Sequence, residues 1–209
     1  MSGYYPIFLN IVGFPCLVVG GGDVAERKVE ALRASGAVVK LISPALTPLL
    51  QSLALNGEIN WFPRAFQRGD TVGSQLVISA TNHEEVNRQV YEECNSAGIL
   101  VNVVDDPAKC SFLVPAVVRR GDLCIAVSTG GASPLAARKI REELEDRYGP
   151  EYDIYLKLLA AARREALTRH REPEKRRRVF ERLNDGNLLS LLKDGRVDAA
   201  KELVKKCLS

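Results

Sequence analysis

Cys16-Leu17-Val18-Val19-Gly20-Gly21-Gly22-Asp23-Val24-Ala25-Glu26-Arg27-Lys28 decides the reading of this chain, because an apolar run suited to a buried strand passes through three glycines straight into a helical sequence. A strand, a glycine turn and a helix in that order make a site for a diphosphate. Gly20 permits the tight turn, Gly22 lets the backbone approach the pyrophosphate, and Ala25 takes the small position where helix packs on strand. The unpaired N–H groups from Asp23 and Val24 onward then face the phosphates. Val38-Val39-Lys40-Leu41-Ile42 follows Gly36 as a second strand, which completes a βαβ unit of about 30 residues. An ordinary α/β loop whose glycines only relieve strain is the alternative for the motif in isolation; its flanks favour the dinucleotide.

Outward from this unit the alternation continues. A helix is expected over Ala45 to Asn56, stopped by Gly57, then a short strand at Ile59-Asn60-Trp61-Phe62. Leu76-Val77-Ile78-Ser79-Ala80-Thr81 is apolar enough to be a doubly buried parallel strand. A helix over Glu84 to Ser96, with Val86, Val90 and Tyr91 toward the core and Gly98 as its stop, leads to a fifth strand at Ile99 to Val104. Phe112 to Val118 and Leu123 to Ser128 flank Arg119-Arg120-Gly121-Asp122 as a β-hairpin; such an apolar hairpin needs a covering surface, for which a second subunit is a natural source. Ser133 caps a helix with Pro134 at its first position, carrying Leu135, Ala136, Ile140 and Leu144 through to Tyr148. From Tyr152 the chain reads as helix, broken at Pro173, Asp185-Gly186 and Asp194-Gly195.

The fold class is α/β: a Rossmann-like parallel sheet, then a small dimerisation region with a β-hairpin, then a C-terminal helical domain. The expected boundaries are 1–112 for the dinucleotide-binding, Rossmann-like domain, 113–148 for the hairpin region and 149–209 for the basic helical domain.

Composition excludes several classes. The five cysteines have no C-x-x-C spacing and there are only two histidines, which argues against a pre-built metal cage and a disulfide scaffold, so no metal site is expected. The first nine residues lack the basic flank and long apolar run of a signal peptide, and no stretch is long and apolar enough to span a bilayer; the expectation is a soluble cytoplasmic protein without a membrane partner. Charge is uneven: residues 150–209 hold 15 Lys and Arg against 10 Asp and Glu, densest between Arg163 and Arg178. That surface suits a poly-anion, or is simply a solvated helix face.

Several residues could carry chemistry. Where a dinucleotide fold normally places an Asp or Glu after the second strand, this chain has Ser43-Pro44-Ala45; Ser43 either bonds a ribose hydroxyl or caps the turn. Asp105, at a strand end opening onto the crevice, is suited to accept a proton, with a loop cap as the alternative; Asp106 before Pro107 reads as a turn residue, and Asn102 and His83 as structural. Ser128-Thr129-Gly130-Gly131-Ala132-Ser133 either presents N–H groups to an anionic substrate group or a partner, or is a plain tight connection.

Gly20 to Lys28, Ser79-Ala80-Thr81 with Asn87, Asn102-Val103-Val104-Asp105, Ser111-Phe112 with Pro115, Ile125 to Gly131, and Ser133-Pro134 together resemble the precorrin-2 dehydrogenase family, which includes the dehydrogenase and ferrochelatase module of sirohaem synthase. The motifs run in the family's order over about residues 1–145; the helical remainder is similar only in length and basic character. The resemblance implies NAD-dependent oxidation of precorrin-2 to sirohydrochlorin, a tetrapyrrole substrate and a homodimer. It implies Asp105 as the catalytic residue and cofactor contacts at Gly20, Gly22, Asp23, Val24, Ser43, Pro44, Ala45 and Thr81. Substrate contacts would fall at Ser128, Thr129 and Gly130. Some relatives also insert ferrous iron, a point the sequence leaves open. At 209 residues the chain is expected to lack the methyltransferase domain fused to some relatives.

The rival readings are an NAD-sensing regulator, which normally shows the second-strand acid and an effector domain, and a methyltransferase using S-adenosylmethionine, whose glycine loop normally follows an acidic residue where Cys16 to Val19 are apolar. A nucleic-acid-binding tail is the third; no nucleic-acid partner is expected.

Overall fold

In a computed structural model, which describes residues 3–185 and 187–208, the chain divides into two compact units, Met1–Val114 and Pro115–Ser209. The first holds β1 (Pro15–Val19), α1 (Asp23–Ala34), β2 (Val38–Ile42), α2 (Pro48–Leu55), β3 (Asn60–Phe62), β4 (Leu76–Ser79), α3 (Glu84–Ala97) and β5 (Leu100–Val103). All neighbouring strands run parallel, in the order β3-β2-β1-β4-β5. The order reverses between β1 and β4, so the crevice at the carboxyl ends of those strands is where such a sheet binds its ligand.

Strand periodicity divides the core into two layers. Cys16 and Val18 of β1 pack with Ala25, Val29 and Leu32 of α1 and Leu50 and Leu53 of α2, whereas Leu17 and Val19 pack with Val90 and Cys94 of α3. Both faces of β1 and β4 are thereby covered, which is why their sequences show no polar alternation. Burial pushes the thiols of Cys16 and Cys94 up to about 11 and about 12, so both serve as neutral packing groups.

The helix after β2 begins at Pro48, not at Ala45. The Ser43 hydroxyl donates to the Ala45 carbonyl at 2.7 Å and the Thr47 amide donates to the Gly21 carbonyl at 3.0 Å, so the chain is held as a loop until Thr47 caps α2 by accepting from the Leu50 amide at 3.3 Å. The strand at Leu76 ends at Ser79, and β5 starts at Leu100 and ends at Val103. The pairing runs slightly beyond the strands, since the Ala80 amide donates to Val19 O at 2.7 Å and the Val104 amide to Ser79 O at 2.9 Å. α3 ends one residue later than expected, at Ala97, with Gly98 at φ +67° as its left-handed stop.

The second unit holds β6 (Ala116–Arg120), β7 (Leu123–Val127), α4 (Pro134–Arg147), α5 (Glu151–Arg169), α6 (Pro173–Asn184), α7 (Asn187–Lys193) and α8 (Val197–Leu208). The first hairpin strand lies at Ala116–Arg120 rather than Phe112 to Val118, because it starts only after Pro115, which has no N–H to donate. Its two-residue turn is Gly121-Asp122, with Gly121 at φ +57° as a type II′ turn requires at that place. α4 and α5 of the same unit pack on the hairpin, so part of its covering surface comes from its own chain. Ala162 and Ala166 of α5 form a separate core with Val179 and Leu183 of α6, Leu188 and Leu192 of α7, and Ala200 and Val204 of α8. The expected helix breaks fall at Pro173, at Asp185 and at Asp194-Gly195; Gly186 lies outside the described residues. Among the described residues, no helix is long and apolar enough to cross a membrane.

Candidate functional site

The three glycines have three different duties. Gly20 sits at φ +117°, and its amide donates to Ile42 O at 2.9 Å; a Cβ there would lie 2.8 Å from the Ala80 carbonyl carbon and closer still to its oxygen. Only glycine can hold that turn between β1 and β4. Gly21 has an ordinary φ, but a Cβ would meet Ser43 Oγ at 2.7 Å and Leu46 Cδ2 at 2.9 Å, with Ala45 O nearer still. This close approach to the loop after β2 is a requirement that motif reasoning missed. Gly22 is the N-cap of α1 at φ −89°, and a Cβ would have nothing within 4 Å.

Gly22 is therefore glycine for a reason outside the protein's own packing. The first amides of a helix have no carbonyl four residues back, and Gly22 brings no side chain to cap them. Space above a cap without a side chain, beside amides that need acceptors, fits a diphosphate group. Asp23 and Glu26 put negative charge in the same turn. The Thr47 hydroxyl donates to the Glu26 carboxylate, which ties that charge to the start of α2.

The predicted cofactor residues Gly20, Gly22, Asp23, Val24, Ser43, Pro44, Ala45 and Thr81 all lie where β1, β2 and β4 end, at the carboxyl edge of the sheet. Ser43 is buried and spends its proton on Ala45 O, while Trp61 Nε1 donates to Ser43 O at 3.0 Å. Its hydroxyl thus caps the turn, with lone pairs left to accept. The segment ending in Thr81 is clamped by Asn87. Ser79 Oγ donates to Asn87 Oδ1 at 2.7 Å, Asn87 Nδ2 donates to Thr81 O at 3.0 Å, and the His83 amide donates to Thr81 Oγ1 at 3.2 Å. His83 itself is the N-cap position of α3 without a side-chain cap bond.

Asp105 follows β5 at the same edge. At φ +62° it is the one non-glycine residue with a positive φ among the described residues. Left-handed backbone is strained for an L residue, though Asp tolerates it better than most. The neighbouring geometry is tightly specified. Asp106 forms an ion pair with Lys109, whose hydrogen bond pulls the Asp106 carboxyl below its usual range, and Asp106 starts a 3₁₀ turn over Pro107–Lys109. Asn102 Nδ2 donates to Phe112 O at 3.0 Å and reaches Cys110 Sγ at 3.4 Å, and the Cys110 thiol reaches Val103 O and Asp106 O at 3.2 Å each. Asp106 and Asn102 are thus structural, and they hold the turn that displays Asp105.

Ser128, Thr129 and Gly130 lie in the second unit, in the connection from β7 to α4. Thr129 Oγ1 donates to Ser133 O at 3.0 Å and accepts from the Ser133 amide at 3.0 Å, the Gly130 amide donates to Ser128 Oγ at 3.1 Å, and Ser133 Oγ accepts from the Ala136 amide at 3.1 Å. Gly130 and Gly131 supply φ of +63° and +88°. The connection is tied together by its own groups.

Part of the basic helical surface is paired on itself: Arg169 with Glu165, Lys175 with Glu172, and Arg177 with Glu181, all one helical turn apart. Between α5 and α6, Arg163, Arg176, Arg177 and Phe180 line a groove of about 510 Å³, with the Arg163 guanidinium 5.9 Å from the Phe180 ring centre. Sequence reasoning located the charge but not this groove.

A family model described as putative NAD(P)-binding matches residues 7–116, and one described as sirohaem biosynthesis protein central matches residues 120–147. A sirohaem synthase of Thioalkalivibrio sulfidiphilus is 42% identical over 205 residues, covering 98% of this chain and 42% of that protein. Siroheme synthase 1 of Aeromonas salmonicida is 41% identical over 180 residues, covering 86% and 38% respectively. The chain thus spans about two fifths of the length of these relatives. The solved structure of SirC, a precorrin-2 dehydrogenase, superposes with a TM-score of 0.82 at 26% identity, covering 97% of this chain and all of that one.

Proposed function

Because the chain belongs to the family of NAD(P)-binding modules found in sirohaem synthases, we propose that it oxidises precorrin-2 to sirohydrochlorin with NAD as the cofactor. The observation that carries this reading is the meeting, at one sheet edge, of an uncapped helix start at Gly22 and a carboxylate displayed from a left-handed residue at Asp105. NAD, when bound, supplies the acceptor for a hydride. The substrate loses that hydride and a proton, and Asp105 takes the proton. The amides of Gly22, Asp23 and Val24 hold the diphosphate, and the Ser43–Ala45 loop and Thr81 border it. A strained backbone at Asp105, fixed by the Asn102 and Cys110 contacts, keeps the carboxylate from turning away as a flexible loop residue would.

The same reading makes the protein a homodimer. It is supported by α4, which buries only Ala137 among its described residues and leaves Leu135 63% and Ile140 42% exposed. Ser128, Thr129 and Gly130 are proposed as substrate contacts.

Purified protein mixed with precorrin-2 and NAD tests the proposal. The expected result is a change of the macrocycle spectrum to that of sirohydrochlorin together with NADH absorbance in equal amount; NAD binding with neither spectral change would leave a nucleotide-sensing module instead.

A further inference from the structure

Lys28 occupies a place on α1 that helix periodicity reserves for the core. It lies three residues after Ala25, four before Leu32 and next to Val29, all three of which are buried against the sheet. Its side chain is half-buried, yet its ammonium makes no hydrogen bond or ion pair with the described residues. A cation is unfavourable in such a place without close anions; burial and the like charge of Arg27 lower its pKa more than Asp105 and Cys110 raise it.

The direction of the side chain says where the anion belongs. Helical side chains tilt toward the N-terminus, so the stem carries the ammonium back toward the glycine turn. There it lies within electrostatic reach of the Asp105 carboxylate and the Cys110 thiol. Lys28, the first amides of α1 and Asp105 thus converge on one edge of the sheet. The amides have the geometry for a diphosphate; the ammonium lies on the Asp105 side, where the reacting substrate is placed.

We infer that Lys28 is a substrate-binding residue, whose ammonium receives a carboxylate of the polycarboxylate macrocycle and seats the ring against Asp105. This rests on the proposed function, from which the substrate's acidity follows. A half-buried amine suits the task because its attraction is poorly screened, whereas the exposed basic residues of α5 and α6 lie in water, where Arg169 and Arg177 also pair with neighbouring carboxylates.

The test is equilibrium binding of sirohydrochlorin, read by its absorbance, and of NAD, read by calorimetry, to the wild type and to Lys28→Met, Lys28→Gln and Lys28→Arg. The Met and Gln variants are expected to bind the macrocycle at least tenfold more weakly and NAD within twofold of wild type, with Arg restoring macrocycle binding to within about threefold; KM for precorrin-2 should rise more than kcat falls. Macrocycle affinity unchanged in the Met and Gln variants overturns the inference. So does a loss confined to NAD, which would give the ammonium to the cofactor. Failure of the wild type to bind the macrocycle would instead remove the proposed function, and this inference with it.

Discussion

The glycine turn gives a prediction in which folding and cofactor binding come apart. At Gly20 an added methyl would sit 2.8 Å from the Ala80 carbonyl carbon, in a backbone at φ +117°; at Gly21 it would sit 2.7 Å from Ser43 Oγ and 2.9 Å from Leu46 Cδ2. Real side chains do not approach below 3.0 Å, so either the strand ends must separate or the backbone must turn. Strain of this kind costs roughly 1–3 kcal/mol for the backbone and a similar amount for overpacking. Gly20→Ala should therefore lose about 3–5 kcal/mol, and Gly21→Ala, with the clash but without the φ penalty, about 1–3 kcal/mol. In a chain of this size each kcal/mol moves Tm by roughly 2–4 °C. Gly22 differs in kind: its φ of −89° suits any residue and a Cβ meets nothing within 4 Å. Gly22→Ala should change stability by no more than about 1 kcal/mol, the loss of unfolded-chain freedom offsetting alanine's weaker N-cap preference. Gly22→Asp, which adds a carboxylate where the diphosphate lies, should keep Tm close to wild type while NAD binding weakens more than tenfold, about 1.4 kcal/mol. Thermal denaturation followed by circular dichroism gives the first quantity and titration calorimetry the second. The reasoning fails if Gly22→Asp is folded and binds NAD as the wild type does, or if Gly22→Ala is the least stable of the alanine series.

Asp105→Asn should reduce turnover by roughly 10²–10⁴-fold with NAD affinity unchanged. Asp105→Gly should be equally inactive yet no less stable, since glycine relieves the left-handed strain; a destabilised, active glycine variant would make Asp105 a structural cap. Leu135→Glu with Ile140→Glu should shift the protein from dimer to monomer in light scattering, and an unchanged mass would move the proposed interface off α4. Asp70 anchors the loop between β3 and β4 through two 2.7 Å bonds from Arg64 and one of 2.8 Å from the Gln67 amide, and the Arg64 bonds hold its carboxyl below its usual 3.8. Its stabilisation is therefore complete above that value and lost as pH falls through the lowered folded one. Asp70→Asn should cost about 1–2 kcal/mol at neutral pH, with Arg64 partly exposed, and the gap should narrow as pH falls below 3.8; a gap that does not narrow between pH 5 and pH 2 would refute the ion-pair account.

The sequence by itself determined the elements and their class. Apolar runs of four to six residues separated by helical periods leave few arrangements other than a parallel sheet, because a strand buried on both faces needs helices on both sides and right-handed crossovers settle their placement. Gly20, Gly22 and the Ser133-Pro134 cap were legible because each belongs to a short local pattern, the glycine turn from strand to helix or the capped helix start. Only the tertiary structure decided the rest. Gly21 is required by Ala45 and Ser43, more than 20 positions away, and Ser43, between ribose contact and turn cap, spends its proton on the turn. The start of α2 moved from Ala45 to Pro48 because Gly21 and Glu26, on another element, hold the loop before it. Asp105 could be named from its strand end, but its left-handed backbone comes from a turn pinned by Asn102 and Cys110. Lys28 belongs to the glycine motif in sequence, but only packing half-buries its side chain and brings it within electrostatic reach of Asp105. Periodicity is a property of neighbours along the chain, whereas charge pairing and close approach depend on which distant residues packing brings together.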